Sequence, residues 1–222
     1  MKENEKREIS EHYITGIILS VVGGFLDAYT YIARGGVFAN AQTGNIVLFG
    51  IECAHKEWKN AIYYLFPIGA FIVGIMLAAI IKTKYKNSNN LHWRQIVIAM
   101  EILVLIAVAF IPEGRSYNGI ATILISFVCS LQVEGFRVVN GLPIATTMCT
   151  GNLRSATDQL FNFFLTKNKT SIISSIQYFG IIIFFVIGAI LGTTLTNIFS
   201  LKTVLFSCIG LLIVLLMMFK KR

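Results

Sequence analysis

Charge is what this 222-residue sequence has least of: Asp, Glu, Lys and Arg make up 14% of it, where a soluble domain carries about 25%. Hydrophobic residues make up 55%, and the mean hydropathy is +0.72. Too few charges remain to cover a water-soluble globule, which argues against a cytosolic enzyme, and the apolar content excludes intrinsic disorder and collagen. The apolar residues gather in long runs rather than at every second position, so an outer-membrane barrel is excluded as well. Cysteine is scarce: Cys53, Cys129, Cys149 and Cys208 form no CxxC pair, so neither a disulfide framework nor a zinc site is indicated. The three histidines, His12, His55 and His92, fall at predicted segment ends, which disfavours a buried histidine metal centre. No GxSxG, HExxH, Walker or Rossmann pattern occurs, and no histidine lies within the apolar runs to activate Cys149. No cofactor and no enzymatic activity are expected.

What the sequence has instead is the pattern of an all-α, polytopic helical membrane protein. The net charge is +8. Its basic residues sit between apolar runs, as at Lys82, Lys84, Lys86 and Arg94, and at the end, Lys220, Lys221 and Arg222. That is the positive-inside bias of membrane loops rather than a nucleic-acid footprint, so the expected partner is a lipid bilayer and not nucleic acid. Met1 to Glu11 mixes Lys and Glu ahead of an apolar stretch from Tyr13 to Ala33. That stretch is too long for a signal-peptide core and contains Gly23, Gly24 and Asp27, so it reads as a retained first span.

Five further runs, roughly 61–81, 95–112, 118–136, 172–198 and 203–219, approach the length of about 20 residues that a helix needs to cross the hydrocarbon core. Two other helical patterns make poor spans. Thr43 to His55 is short, and Thr150 to Leu165 carries Arg154 and Asp158. Each such charge costs about 2.5–3.5 kcal/mol at a helix centre. Both segments read as re-entrant half-helices buried in protein.

An internal repeat organises these pieces. Thr43-Gly44-Asn45 recurs as Thr150-Gly151-Asn152, an offset of 107 residues at which Asp27 falls on Glu134. Phe71-Ile72-Val73-Gly74 matches Phe185-Val186-Ile187-Gly188 after a seven-residue insertion. The chain is therefore expected to form a single membrane domain over 1–222, with one repeat at about 12–112 and a second at about 118–219. Each repeat holds three spans and one re-entrant half-helix, and an odd number of crossings inverts the second repeat. With the N-terminus inside, Lys2, Lys6, Arg7, Lys82, Lys84, Lys86, Arg94, Lys167, Lys169, Lys220, Lys221 and Arg222 fall on the inner side. With Arg34, Arg137 and Arg154 set aside as linker or intramembrane residues, only Lys56, Lys59, Arg115 and Lys202 fall outside. If the two TGN segments crossed fully, the repeats would be parallel and the Lys82–Arg94 cluster would lie outside. That cluster and the polarity of 150–165 favour the inverted arrangement.

The candidate site follows from the repeat. Thr43 and Thr150 stand where a hydroxyl can cap a helix start, and Gly44 and Gly151 permit close approach. Asn45 and Asn152 offer donor and acceptor together. In an inverted repeat the two half-helix N-termini converge near the midplane and present N–H groups and positive dipole ends to a substrate. Asp27 and Glu134 lie on the long helices preceding them, and intramembrane carboxylates face a cavity or a partner. Glu134 has a local candidate partner in Arg137. Arg154 either pairs with Asp158 four residues on or holds an anionic substrate group. Glu101 stands alone, as a buried polar tie or an oligomer contact. Small residues at Ala70, Gly74, Ala78 and at Gly188, Gly192, Thr196 predict close helix packing, and Trp58 and Trp93 read as interfacial anchors.

At Gly23-Gly24-Phe25-Leu26-Asp27-Ala28-Tyr29, Phe38-Ala39-Asn40-Ala41-Gln42-Thr43-Gly44-Asn45 and Ala145-Thr146-Thr147-Met148-Cys149-Thr150-Gly151-Asn152, the sequence resembles the YoaK-like family of bacterial integral membrane proteins, a domain of unknown function. The resemblance spans roughly 12 to 219. It implies a bacterial cytoplasmic-membrane location, here with both termini cytoplasmic, and supplies no substrate or reaction. The leading functional expectation is a small secondary transporter or channel. An unknown solute or ion would bind among Asp27, Thr43, Gly44, Asn45, Glu134, Thr150, Gly151, Asn152 and Arg154. The alternative is a non-transporting membrane scaffold or sensor, and an intramembrane enzyme ranks third. A homo-oligomer is compatible with the sequence.

Overall fold

In a hydrocarbon environment each backbone N–H and C=O must be paired within its own segment, so apolar runs of this length become helices. The computed structural model describes residues 8–86 and 92–220. Among them are α1 (Tyr13–Ala33), α2 (Gln42–Ala54), α3 (Trp58–Tyr85), α4 (Trp93–Val108), α5 (Arg115–Gly135), α6 (Cys149–Thr166), α7 (Lys169–Phe199) and α8 (Val204–Lys220), with no named strand. Lys2, Lys6, Arg7, Lys221 and Arg222 of the expected inner side lie outside the described residues.

Four stretches are long and apolar enough to cross a membrane: α1, α3, α5 and the run Lys169–Lys220, which holds α7, a short 3-10 turn and α8. Of the six expected spans, 95–112 is shorter than anticipated: α4 has 16 residues and ends at Val108, ahead of Pro112. The half-helix segments begin one residue earlier than expected, at Gln42 and Cys149.

Directions follow from contacts between named residues. Arg34, just past α1, donates to Asn118 near the start of α5, while Gln132 near the end of α5 donates to the Leu19 carbonyl. α1 and α5 therefore run in opposite directions. The chain after α1 turns back, because the Asn40 N–H donates to Asp27 Oδ1 over 2.8 Å and the Asn40 side chain to the Gly23 carbonyl over 3.0 Å. α2 then runs outward again, so that Glu52 shares a cleft with Gly35 at the end where α1 finished. In the second half, Ser175 on α7 donates to the Ala156 carbonyl of α6, which holds these two consecutive helices side by side.

Packing crosses between the halves. α1 lies chiefly against α7, and α3 against α5. Glycines make both approaches possible. A Cβ at Gly188 would strike the Val21 carbonyl, one at Gly24 the Phe185 carbonyl, and one at Gly74 the Ser130 side chain and the Phe127 carbonyl. The main core is built from α1, α4, α5 and α8, with Leu26, Ile98, Leu105, Ile125, Leu131 and Leu211 buried in it.

Each end of the bundle is tied by an arginine. At one end Arg94 donates to Glu8, Ser10, Glu11 and the Gly135 carbonyl. At the other, Arg34 is fully buried and donates to the Tyr29 hydroxyl and to the carbonyls of Val108, Ile111 and Pro112 at the C-terminus of α4, where a cation also complements the helix dipole. Trp58 is exposed as an interfacial residue should be. Trp93 is buried instead, with Lys82 and Arg94 over its ring, because α4 begins beneath the end of α3.

Candidate functional site

Both helix starts open onto one cavity of about 650 Å³. Its walls come from α1 (Asp27, Ala28, Tyr31, Ile32), the start of α2 (Gln42, Thr43), Phe71 of α3, the start of α6 (Cys149, Thr150, Gly151) and Phe185, Ala189 and Thr193 of α7. The linkers contribute Phe38, Asn40 and Ala41 from the first half and Thr147 and Met148 from the second. The two linkers meet at one turn of α1. Asn40 bonds the Gly23 carbonyl, and the Thr146 and Thr147 backbone lies so close to Gly23 that a Cβ there would sit 3.0 Å from the Thr146 oxygen. Tyr31 and Phe38 stack with centroids 4.8 Å apart at the exposed rim.

Asp27 is 7% exposed and is the one charged side chain among the described residues lining the cavity. Neither helix start receives a side-chain cap: the N-cap residues are Ala41 and Met148. Because each helix begins one residue earlier than expected, Thr43 and Thr150 lie within the first turn and line the cavity rather than capping. Two buried oxygens of lining residues have no hydrogen-bond partner among the described residues, Asn40 Oδ1 and Thr147 Oγ1. A buried polar atom without a partner is costly.

The remaining expected site residues divide. Gly151 lines the cavity, with no heavy atom within 4 Å of the place a Cβ would occupy. Gly44 does not line it and faces Phe38. Asn45 and Asn152 are buried beside the cavity and hold its walls: each donates to a carbonyl seven residues upstream, Asn45 to Phe38 over 3.0 Å and Asn152 to Ala145 over 2.6 Å. They shape the linkers and are not lining residues. Glu134 sits elsewhere. It is in the last turn of α5, between Lys82 at 3.7 Å and Arg137 at 3.4 Å, because the second linker (136–148) is longer than the first (34–41) and the helix correspondingly stops earlier in the repeat. Arg154 is exposed and lies 3.8 Å from Asp158 on the next turn, away from the cavity.

Residues 15–217 match the family described as protein of unknown function (DUF1275). The chain belongs to this family. The UPF0700 transmembrane protein YoaK of Bacillus subtilis (strain 168) is 26% identical over 181 residues, covering 78% of this chain and 79% of that one. No solved structure matches. The resemblance carried by the three motifs therefore extends over nearly the whole chain, and the relative and the apolar helices together make this a multi-pass membrane protein.

Sequence reasoning did not single out Asn40, Thr147 or Arg34. The first two are ordinary polar residues in linkers. The signal that marks them is register, since each stands three positions before a TGN threonine. Arg34 gives no sequence signal of its burial, because its acceptors are carbonyls at the end of α4 and not carboxylates.

Proposed function

We propose that this protein is a small secondary transporter or channel of the bacterial cytoplasmic membrane, built from two inverted repeats and performing no bond chemistry. One observation carries the reading. Two helix starts, a buried carboxylate and two residues with unpartnered buried oxygens line a single cavity of the bundle. Discontinuous helices with starts facing a common site are the usual way a helical membrane protein presents backbone polarity to a solute. The opposite directions of α1 and α5, and the reciprocal packing of α1 on α7 and α3 on α5, support the inverted repeat. Lys82 and Arg94 lie at the end that holds Glu8 and the close of α5. Positive-inside reasoning makes that end cytoplasmic, with both termini. In this reading solute or ion reaches Asp27 between the half-helices, and rocking of one repeat against the other alternates access.

The test is flux in proteoliposomes across a broad panel of solutes and ions. Protein-dependent movement that is lost in Asp27→Asn supports the reading, and no movement from well-folded protein sinks it. Orientation is checked with single cysteines at Lys84 and Lys59 in a background free of the four native cysteines. Residue 84 should be shielded from an impermeant reagent in intact cells, and residue 59 should label. The reverse pattern removes the orientation.

A further inference from the structure

The two helix starts are not equivalent. At α2, the N–H groups of Gln42 and Gly44 donate to the carbonyls of Asn40 and Ala41, and the Asn40 N–H is taken by Asp27. That start is already faced by a carboxylate. At α6, the N–H groups of Cys149, Thr150 and Gly151 have no hydrogen-bond partner among the described residues, and no carboxylate accepts from them. Beside it, Thr147 Oγ1 is a buried hydroxyl with no partner, able to donate. Gly151 leaves open space over the same turn. This end of the cavity presents donors and calls for an anion.

The other end presents acceptors. Asp27 carries the cavity's one formal charge, and the unpartnered Asn40 Oδ1 can only accept. That end calls for a cationic donor. Magnitudes separate the candidates. A helix start is equivalent to roughly half a positive charge. A simple anion would gain that half charge while meeting the full negative charge of Asp27. A simple cation would suit Asp27 and leave the donors of α6 unmatched. A molecule with both charges satisfies the two ends together. Phe71, Phe185 and Ala189 give the same cavity an apolar wall.

Resting on the reading of this cavity as a transport site, we infer that its ligand is a small zwitterion with an ammonium at Asp27 and Asn40, a carboxylate at the start of α6, and an apolar body. The full chain in nanodiscs is titrated with phenylalanine and leucine, with the matching amines phenethylamine and isopentylamine, and with the matching acids 3-phenylpropionate and 4-methylvalerate. At least one zwitterion is expected to bind about tenfold or more tightly than both of its single-charge counterparts. Asp27→Asn is expected to weaken the zwitterion by about tenfold while strengthening the acid, since it removes the charge that attracts an ammonium and repels a lone carboxylate and keeps an acceptor for the Asn40 N–H. Gly151→Leu, which fills the space at α6, is expected to abolish both. An amine or an acid binding as tightly as its zwitterion overturns the inference, as does the failure of both zwitterions to bind. Protein-dependent flux of some other solute alongside that failure leaves the transport reading standing and removes only the zwitterion.

Discussion

The backbone N–H of Asn40 donates to Asp27 Oδ1 over 2.8 Å, so the linker that follows α1 is folded back onto the very helix it left. This single bond places a carboxylate, a helix start and an unpartnered amide oxygen in one cavity wall. Asp27→Asn keeps an acceptor for the Asn40 N–H and removes the charge. Its stability should fall by about 1 kcal/mol, the difference between a charge-assisted and a neutral hydrogen bond, while flux should be lost. Thermal unfolding in detergent and proteoliposome flux, measured on the same preparation, separate the two effects. A variant that unfolds and loses flux together would make Asp27 a structural residue.

Gly151→Leu should fold as well as the parent, because a Cβ added at this position meets nothing within 4 Å and the change improves helix propensity by up to about 1 kcal/mol. Gly151 lines the cavity, so a leucine there should narrow it, and flux should fall with the melting temperature unchanged or raised. Retained flux would show that the solute does not pass this turn.

Gly188→Leu should do the opposite. Its side chain would be driven into the backbone of α1 at Val21, and overpacking of a close approach costs about 1–3 kcal/mol or more. Low yield and a lowered melting temperature are expected, read by size-exclusion profile and thermal unfolding. A normal profile would mean that α1 and α7 do not pack at this register.

Asn45→Ala and Asn152→Ala should each destabilise by about 1 kcal/mol, since each removes a part-buried hydrogen bond to a linker carbonyl. Ligand affinity measured at a temperature where the variants stay folded should fall less than in Asp27→Asn. An equal or larger fall would return the two asparagines to the lining of the cavity.

Glu101 is fully buried on α4, and both its carboxyl oxygens lack a partner among the described residues. Glu101→Leu removes two unsatisfied oxygens at similar volume and should raise stability by about 1–3 kcal/mol with flux intact. Loss of flux in a stabilised variant would instead place Glu101 on the solute or ion path.

Much of the architecture was legible because membrane burial writes itself in runs. The expected segments at 13–33, 61–81, 118–136 and 172–198 lie within α1, α3, α5 and α7 apart from a residue at one boundary, and the two TGN segments begin helices that open on one cavity. Asp27 was legible as a charge inside such a run. Glu134 was misleading, because equal spacing in the sequence hides how that spacing is divided. Asp27 lies nearly two turns before the end of α1 at Ala33, whereas Glu134 is in the last turn of α5, which ends at Gly135. An offset counted in residues cannot show where a helix stops. The asparagines were misjudged for a related reason. A polar side chain beside a site and one facing into it look alike in a sequence, and only the carbonyls of Phe38 and Ala145 distinguish them.

The crossed packing of α1 on α7 has a consequence for biosynthesis. The glycine face and the buried acid of the first helix leave the ribosome well over a hundred residues ahead of the helix that covers them. During that interval Gly24 and Asp27 wait without their cover, in lipid or against the insertion machinery. The first half therefore cannot mature alone: it becomes a finished structure only when the seventh helix arrives, and a chain truncated before Lys169 should be held and degraded rather than assembled.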